Sequence, residues 1–466
     1  MKDSLLLDII AAQKRGEPRG ITSICSTNPF VLDAAFAHAQ ANGRHLLIES
    51  TCNQVNQYGG YTGQTPYEFM KALRQMAEKH RFPLSRLITG GDHLGPNPWR
   101  HETAEKAMKK SHVLVHDYVR AGYSKIHLDT SMKCADDAAL LTDAALLSDT
   151  ASFSAAGALM PLPTEVIAAR SAELARVAED TYWSGNGSTS PPLYIIGTEV
   201  PAPGGVNNSE EGPPELSKPA AVEETILATQ AAFKQQGLES AWERVIAVVV
   251  QPGVEFGNDV LFDYDAGAAA PLSHFIHNLD SLVFEAHSTD YQTKKALKEL
   301  VRDQFAILKV GPALTFAFRQ AIFALAEIEE AWLNGRAGVI LSNIRQVVDD
   351  AMLENPVYWK SYYPGDDVQQ RYARKYSLSD RIRYYWPVKT VSQSIDCLLT
   401  NLSATPIPLP LLSQYMPDQF RAVRNGQLLN QPRQLIEHAV TAVLDDYAYA
   451  CGAILPLNNP YMSDWN

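Results

Sequence analysis

The sequence predicts an α/β fold, a (β/α)8 TIM-type barrel over residues 1–335 with a C-terminal helical appendage over residues 336–466 packed on it. Three observations predict it. Short, near-continuously apolar runs recur along the first three hundred or so residues, as strands buried on both faces should read. Amphipathic stretches separate most of these runs, which is the alternation of a closed parallel barrel. Ionisable residues gather at the ends of the runs, where such a barrel carries its active site. An open doubly wound sheet is the alternative, but no GxGxxG opens the first helix.

The elements follow in order. Leu5, Leu6, Ile9 and Ile10 have helical spacing within residues 3–15, and Gly16 to Gly20 ends that helix. Strand one is Ile21 to Cys25, and Ser26 to Pro29 can cap a helix running to about Ala41. Strand two, His45 to Glu49, leads into a long polar loop from Asn53 to Gly63. Thr65-Pro66 opens a helix to about Lys79. Strand three is the run Leu87-Ile-Thr-Gly-Gly-Asp-His-Leu-Gly-Pro96, followed by a helix over about residues 102–121. Strand four is Lys125 to Asp129 and strand five Leu193 to Glu199, with helical periodicity over about 163–183 between them. Residues 200–220, rich in Pro, Gly and acid, read as a surface loop of lid type. Strands six, seven and eight are Val245 to Val250, Ser281 to Glu285 and Phe305 to Lys309. An apolar helix spans about Ala313 to Leu333, and beyond residue 335 the alternation stops.

The bulk numbers agree. Of 466 residues, 46% are hydrophobic and 20% charged, enough to bury a sizeable core. The net charge of −12 argues against a general nucleic-acid surface, though a local basic pocket for a phosphorylated small molecule remains compatible. Five scattered cysteines with no CxxC pair read as reduced thiols, Cys25 and Cys52 either lining a pocket or serving as small buried hydrophobes. The first residues lack a signal-peptide layout and no run reaches a membrane span, so the expectation is a cytoplasmic protein that does not engage a membrane.

The polar set at the strand ends comprises Glu49, Asp92, His93, Lys125, His127, Asp129, Glu199, Glu255, Glu285, His287, Asp290 and Lys309. Solvated charges belong on helix faces, not at the ends of apolar runs, so these residues point to a polar pocket. Lys125, His127 and Asp129 share one face of their strand, but sequence leaves open whether it is the lumen. Lys125 reads either as a Schiff-base amine or as an ion-paired structural lysine. His93 and His287 are the leading metal ligands, with Asp129 or Glu199 as a further oxygen ligand. Asp92 would then be free as general acid/base, with Glu199 its counterpart on the other face. A divalent ion (zinc, nickel or manganese) beside a hydroxy-ketone polarises the carbonyl. Asn53, Gln57, Glu49, Lys125, His127, Glu255, Asp290 and Lys309 would hold substrate. Arg381 and Arg383 would pair a phosphate bidentately, or else form salt bridges to Asp380.

Several of these stretches resemble the accessory, non-catalytic Z subunits of tagatose-1,6-bisphosphate aldolase. They are Ile48 to Gly63, Gly90-Gly-Asp-His-Leu-Gly-Pro-Asn97, Ser124 to Asp129, Ile196 to Pro201, Val249 to Phe256, Glu285 to Gln292, Leu308 to Phe316, Tyr376 to Pro387 and Ser413 to Pro417. The resemblance runs from about Arg15 to Ala450. It implies a role beside a catalytic class II aldolase subunit in galactitol and N-acetylgalactosamine (tagatose 6-phosphate) catabolism, with a homo-oligomer also compatible. The alternative it admits is a metal-dependent C4-epimerase acting on a ketose or ketose phosphate. A kinase label attached to some relatives finds no Gly-rich phosphate loop here. Asp92-His93 resembles the Asp-His pair of class II aldolases. Of the two further histidines those enzymes supply, only His287 stands in a comparable place, which implies a mixed histidine/carboxylate site.

Overall fold

A computed structural model describes residues 5–137, 161–185, 190–198 and 213–452. Eight parallel strands close into a barrel. In chain order they are β1 (Ile21–Ile24), β2 (Leu46–Thr51), β3 (Leu87–Leu94), β4 (Lys125–Leu128), β5 (Leu193–Ile196), β6 (Val245–Val250), β7 (Val283–Ala286) and β8 (Phe305–Val310). Each strand pairs with its sequence neighbours, and β1 closes on β8. The expected strands are all present. The surface loop expected over residues 200–220 falls mostly outside the described residues, and a helix (Pro219–Gln235) begins at its end.

The helices start where the sequence supplies caps. Asn28 accepts from the backbone N–H of Phe30 and Val31 ahead of the helix Pro29–Ala41. Thr65 and Glu68 form a reciprocal capping box at the start of Pro66–Lys79. Both place proline in the first turn, where its missing N–H costs nothing.

The lumen is built in layers. Its lower part is apolar: Ile21, Leu47, Leu193, Ile195, Ala247, Val249, Val283 and Ile307 form one cluster with Leu6, Ile9 and Ile10 of the N-terminal helix Leu5–Lys14. That helix therefore plugs the barrel floor. Residues two further along a strand point the same way. Leu47 is thus followed inward by Glu49, Val283 by Glu285, and Ile307 by Lys309, so the layer above the apolar floor is ionic. Gly90, opposite both Glu49 and Lys125, leaves room for it, since a Cβ there would sit 2.7 Å from Glu49 Cγ.

Among residues 336–452 the regular elements are helical, as expected: Ile344–Glu354, Asp367–Tyr376, Lys389–Ala404, Leu409–Tyr415, Pro417–Arg424 and Pro432–Ala450. The last of these lies against Pro29–Ala41, Lys294–Arg302 and β1, the place an eighth barrel helix would take. The long helix Pro312–Leu333 packs against it. One apolar core runs continuously through the barrel's outer layer and the appendage.

Candidate active site

The site grows from the ionic layer. Lys125 Nζ lies 2.7 Å from Glu49 Oε1 and 2.6 Å from Glu285 Oε2. Lys309 Nζ lies 2.8 Å from Glu49 Oε2 and 2.7 Å from Asp92 Oδ2. All five groups are buried. Burial alone would discharge Lys309, but Asp92, Glu49 and Glu285 around it raise its pKa well above the ordinary lysine value. Burial likewise opposes ionisation of Asp92, yet His93, Lys309 and His127 hold it well below the usual carboxylate range. Lys125 is therefore an ion-paired lysine within this layer, whose pKa is raised by Glu285 and Glu49 against the effect of burial. The Schiff-base alternative would need a lowered value.

Above this layer three imidazoles converge. The ring centroids of His93, His127 and His287 lie 5.1, 4.9 and 5.3 Å apart. Each ring has one nitrogen on a carboxylate. His93 Nδ1 is 2.7 Å from Asp129 Oδ2, His127 Nδ1 is 2.8 Å from Asp92 Oδ1, and His287 Nε2 is 3.0 Å from Glu285 Oε1. At His93 and His287 such a carboxylate takes the proton-bearing nitrogen and turns the other lone pair inward, the orientation found in metal-binding histidines. His127 Nδ1 lies between the Asp92 carboxylate and the backbone N–H of His93 (3.2 Å). His127 Nε2 is buried with no hydrogen-bond partner among the described residues. One ligand atom each from Asp92, His93, His127 and His287 lies within 4.8 Å of the others. The residues thus fit a divalent ion through three imidazoles, with an Asp92 oxygen beside them.

The state of His287 supports that fit: burial drives its pKa down to about 3, which leaves it neutral. Burial would lower His93 likewise, but Asp92 and Asp129 raise its pKa. His93 itself sits at φ 49° and Ser288, next to His287, at φ 53°. Two non-glycine residues in the left-handed region beside one site store strain of order 1–3 kcal/mol each. The chain just after His93 is held by contact: a Cβ on Gly95 would lie 1.7 Å from the Asp129 carbonyl oxygen.

The pocket above the histidines has a volume of about 90 Å³. Asn53, Asp92, His93, His287, Asp290, Lys309 and Arg383, all expected from sequence, line it. Cys25, Gln54, Tyr61, Ser288 and Tyr384 join them. Asp290 accepts from the N–H of Gly311 (3.0 Å) and Ala313 (2.8 Å), and burial raises its pKa to about 6. Arg383 comes from the appendage. Its segment is pinned to the barrel by the Arg319–Asp380 ion pair (3.0 Å) and by Tyr291, whose hydroxyl donates to the Leu378 carbonyl. Arg383 donates to the Ser379 and Asp380 carbonyls and to the Tyr384 hydroxyl rather than to a carboxylate.

Other expected residues lie elsewhere. Gln57 donates to the Lys110 carbonyl, away from the pocket. Arg381 stacks on Tyr362 and donates to the Tyr358 carbonyl. Glu49 and Lys125 lie beneath the pocket in the ionic layer. Glu255 is buried beside it, with Phe256 on the wall. Asp129 orients His93, and His127 stands where sequence placed an oxygen ligand. Glu199 lies outside the described residues. Tyr384 is not among the residues expected from sequence, although the stretch Tyr376 to Pro387 that contains it is rich in Tyr, Trp and Arg.

Fold and site define an α/β-barrel protein with a buried histidine–carboxylate centre at the carboxyl ends of its strands. The family described as D-tagatose-1,6-bisphosphate aldolase subunit GatZ/KbaZ-like matches residues 6–157 and 147–452, and the chain belongs to that family. It is 43% identical to a probable tagatose 6 phosphate kinase from Sinorhizobium meliloti 1021, over 93% of this chain and 100% of that one, with a TM-score of 0.79. Fainter likenesses link it to fructuronate-tagaturonate epimerase UxaE from Cohnella laeviribosi (10% identity, 94% of this chain and 82% of that one, TM-score 0.48). The YdjI aldolase from Escherichia coli K12 stands at 10% identity over 83% and 94%, with a TM-score of 0.37. At that level neither says anything about the chemistry of this chain. No helix among the described residues is long and apolar enough to cross a membrane.

Proposed function

We propose that this chain is a cytoplasmic, metal-dependent enzyme that inverts C4 of a ketose or ketose phosphate. The observation that supports it most is the set of three histidines, each turned by its own carboxylate, with the buried and unpartnered His127 Nε2 among them. A divalent ion held by His93, His127 and His287 would polarise the C2 carbonyl of a bound ketose. The remaining work falls to the chain. Asp92, kept ionised by Lys309, accepts the proton of the C4 hydroxyl. The C3–C4 bond then opens, C4 becomes an aldehyde, and the electron pair passes to C3 and the C2 carbonyl. Re-addition of C3 to the other aldehyde face, with the proton returned by Asp92, restores the bond and inverts C4. Asn53 and Asp290, which line the pocket, would hold substrate hydroxyls, and Arg383 an anionic terminus.

A second reading is favoured by the family's description as an aldolase subunit. The chain would then support a separate catalytic class II aldolase in tagatose 6-phosphate breakdown. That role alone does not require a complete histidine–carboxylate centre, and the two roles are compatible. The test is turnover of tagatose and tagatose 6-phosphate by the purified chain, with nickel, zinc or manganese added. The 4-epimer is the expected product, lost in Asp92→Asn. Activity seen only as enhancement of an added aldolase subunit would overturn the enzyme reading.

A further inference from the structure

A second chamber adjoins the metal pocket and is far larger, about 560 Å³ against about 90 Å³. The two share Cys25, Gln54, Tyr61, Gly311 and Arg383 as a common wall. The catalytic chemistry described above uses nothing beyond that wall. The chamber lies between the start of helix Pro29–Ala41 and the appendage, and its far side is aromatic. Phe30 and Phe318 stack with centroids 5.0 Å apart, and Trp386 meets Phe318 edge-on at 5.2 Å. Ile395 and Met76 extend the apolar surface. Polar side chains share the wall with these rings, among them the carboxylates of Asp33 and Asp396. Arg433 stacks over Phe30, and Lys79 is occupied by Asp33 at 2.6 Å. Trp386 is 6% exposed, and its buried indole N–H has no hydrogen-bond partner among the described residues.

A concave, mostly apolar volume with a few placed polar groups is the physical signature of a small-molecule site. A charged guanidinium at its inner wall, bonded to carbonyls and a hydroxyl rather than to a carboxylate, is suited to an organic anion. We infer that this chamber is a second binding subsite for an organic phosphate carrying an apolar or aromatic group. Its anion sits on Arg383 at the common wall, and its ring lies against Phe30, Phe318 and Trp386. The inference rests on the proposed reading only in taking Arg383 as the anion contact. It widens the ligand class beyond a free hexose phosphate to phosphate esters with a bulky, weakly polar substituent.

Titration calorimetry with inorganic phosphate, phenyl phosphate and phenol tests it. Phenyl phosphate is expected to bind at least tenfold tighter than inorganic phosphate, and phenol only weakly. Ser392→Trp, on the chamber wall and away from the histidines, should erase that advantage while leaving inorganic phosphate binding in place. Arg383→Gln should weaken both phosphates together. Equal affinity for the two phosphates, an advantage that survives Ser392→Trp, or phenol binding as tightly as phenyl phosphate would each overturn the subsite. Phosphate binding unaffected by Arg383→Gln would overturn instead the anion role of that residue, and is read separately from the ring's contribution. The calorimetry needs neither metal nor turnover, so a failure of the epimerase reading leaves the outcome interpretable.

Discussion

Lys309 carries more of the site than its single side chain suggests. It is 5% exposed and lies against Asp92 and Glu49 at 2.7 and 2.8 Å. Removing one partner of a buried ion pair leaves an uncompensated charge and costs about 3–5 kcal/mol. Lys309→Met is therefore expected to lower unfolding stability in urea by that order. The double variant Asp92→Asn/Lys309→Met should recover part of the loss, because the carboxylate left without its lysine is gone, whereas Glu49 keeps Lys125. Any activity of the single variant should also shift. Without Lys309, one of the charges that offset burial at Asp92 is lost, its pKa rises, and the acid limb of the pH–rate profile moves upward. An unchanged stability and pH profile in Lys309→Met would show that Asp92 does not depend on this lysine.

Short elements place groups that the barrel strands alone would not. After β6 a two-stranded piece, Glu255–Phe256 with Leu261–Phe262, holds Glu255 where burial raises its carboxyl to about 7. The folded state then binds a proton more tightly than the unfolded chain does, so this group favours folding at low pH. That contribution is fully present below the ordinary carboxylate pKa of 4.5 and is lost as pH rises through about 7. The loss amounts to roughly 3 kcal/mol. Urea unfolding at pH 5 and pH 8 should show a smaller difference in Glu255→Gln than in the parent, and an equal difference would contradict the shift. The strands themselves were legible because apolar runs and the turns after them declare buried parallel strands. The polar ends of β2, β3, β4, β7 and β8 were legible for the same reason. What remained hidden was which face of each strand is the lumen. Alternation groups Lys125, His127 and Asp129 but does not orient them; the apolar floor does, by setting Leu47, Val283 and Ile307 inward. The pairing of His127 with Asp92 crosses strands, and no local pattern reports a cross-strand contact. Gln57 and Arg381 lie off the pocket for a related reason, since each donates to a backbone carbonyl that no local pattern reports.

At the scale of the molecule, the barrel reads as a stack: an N-terminal helix as floor, an apolar layer, an ionic layer, the histidine centre, and an appendage that lends Arg383 and Tyr384 to the pocket wall. The ionic layer supplies the carboxylates that turn two of the three rings, so the histidine geometry depends on the whole stack rather than on the histidines alone. The most direct test of that dependence is the metal content of the purified chain and of His127→Gln, by elemental analysis after exposure to zinc, nickel or manganese, with circular dichroism to confirm the fold. The expected result is one tightly held divalent ion per chain in the parent and at least a tenfold loss of affinity in a folded His127→Gln. A parent that holds no metal, or a His127→Gln that holds it equally well, would contradict a metal centre built on these three histidines.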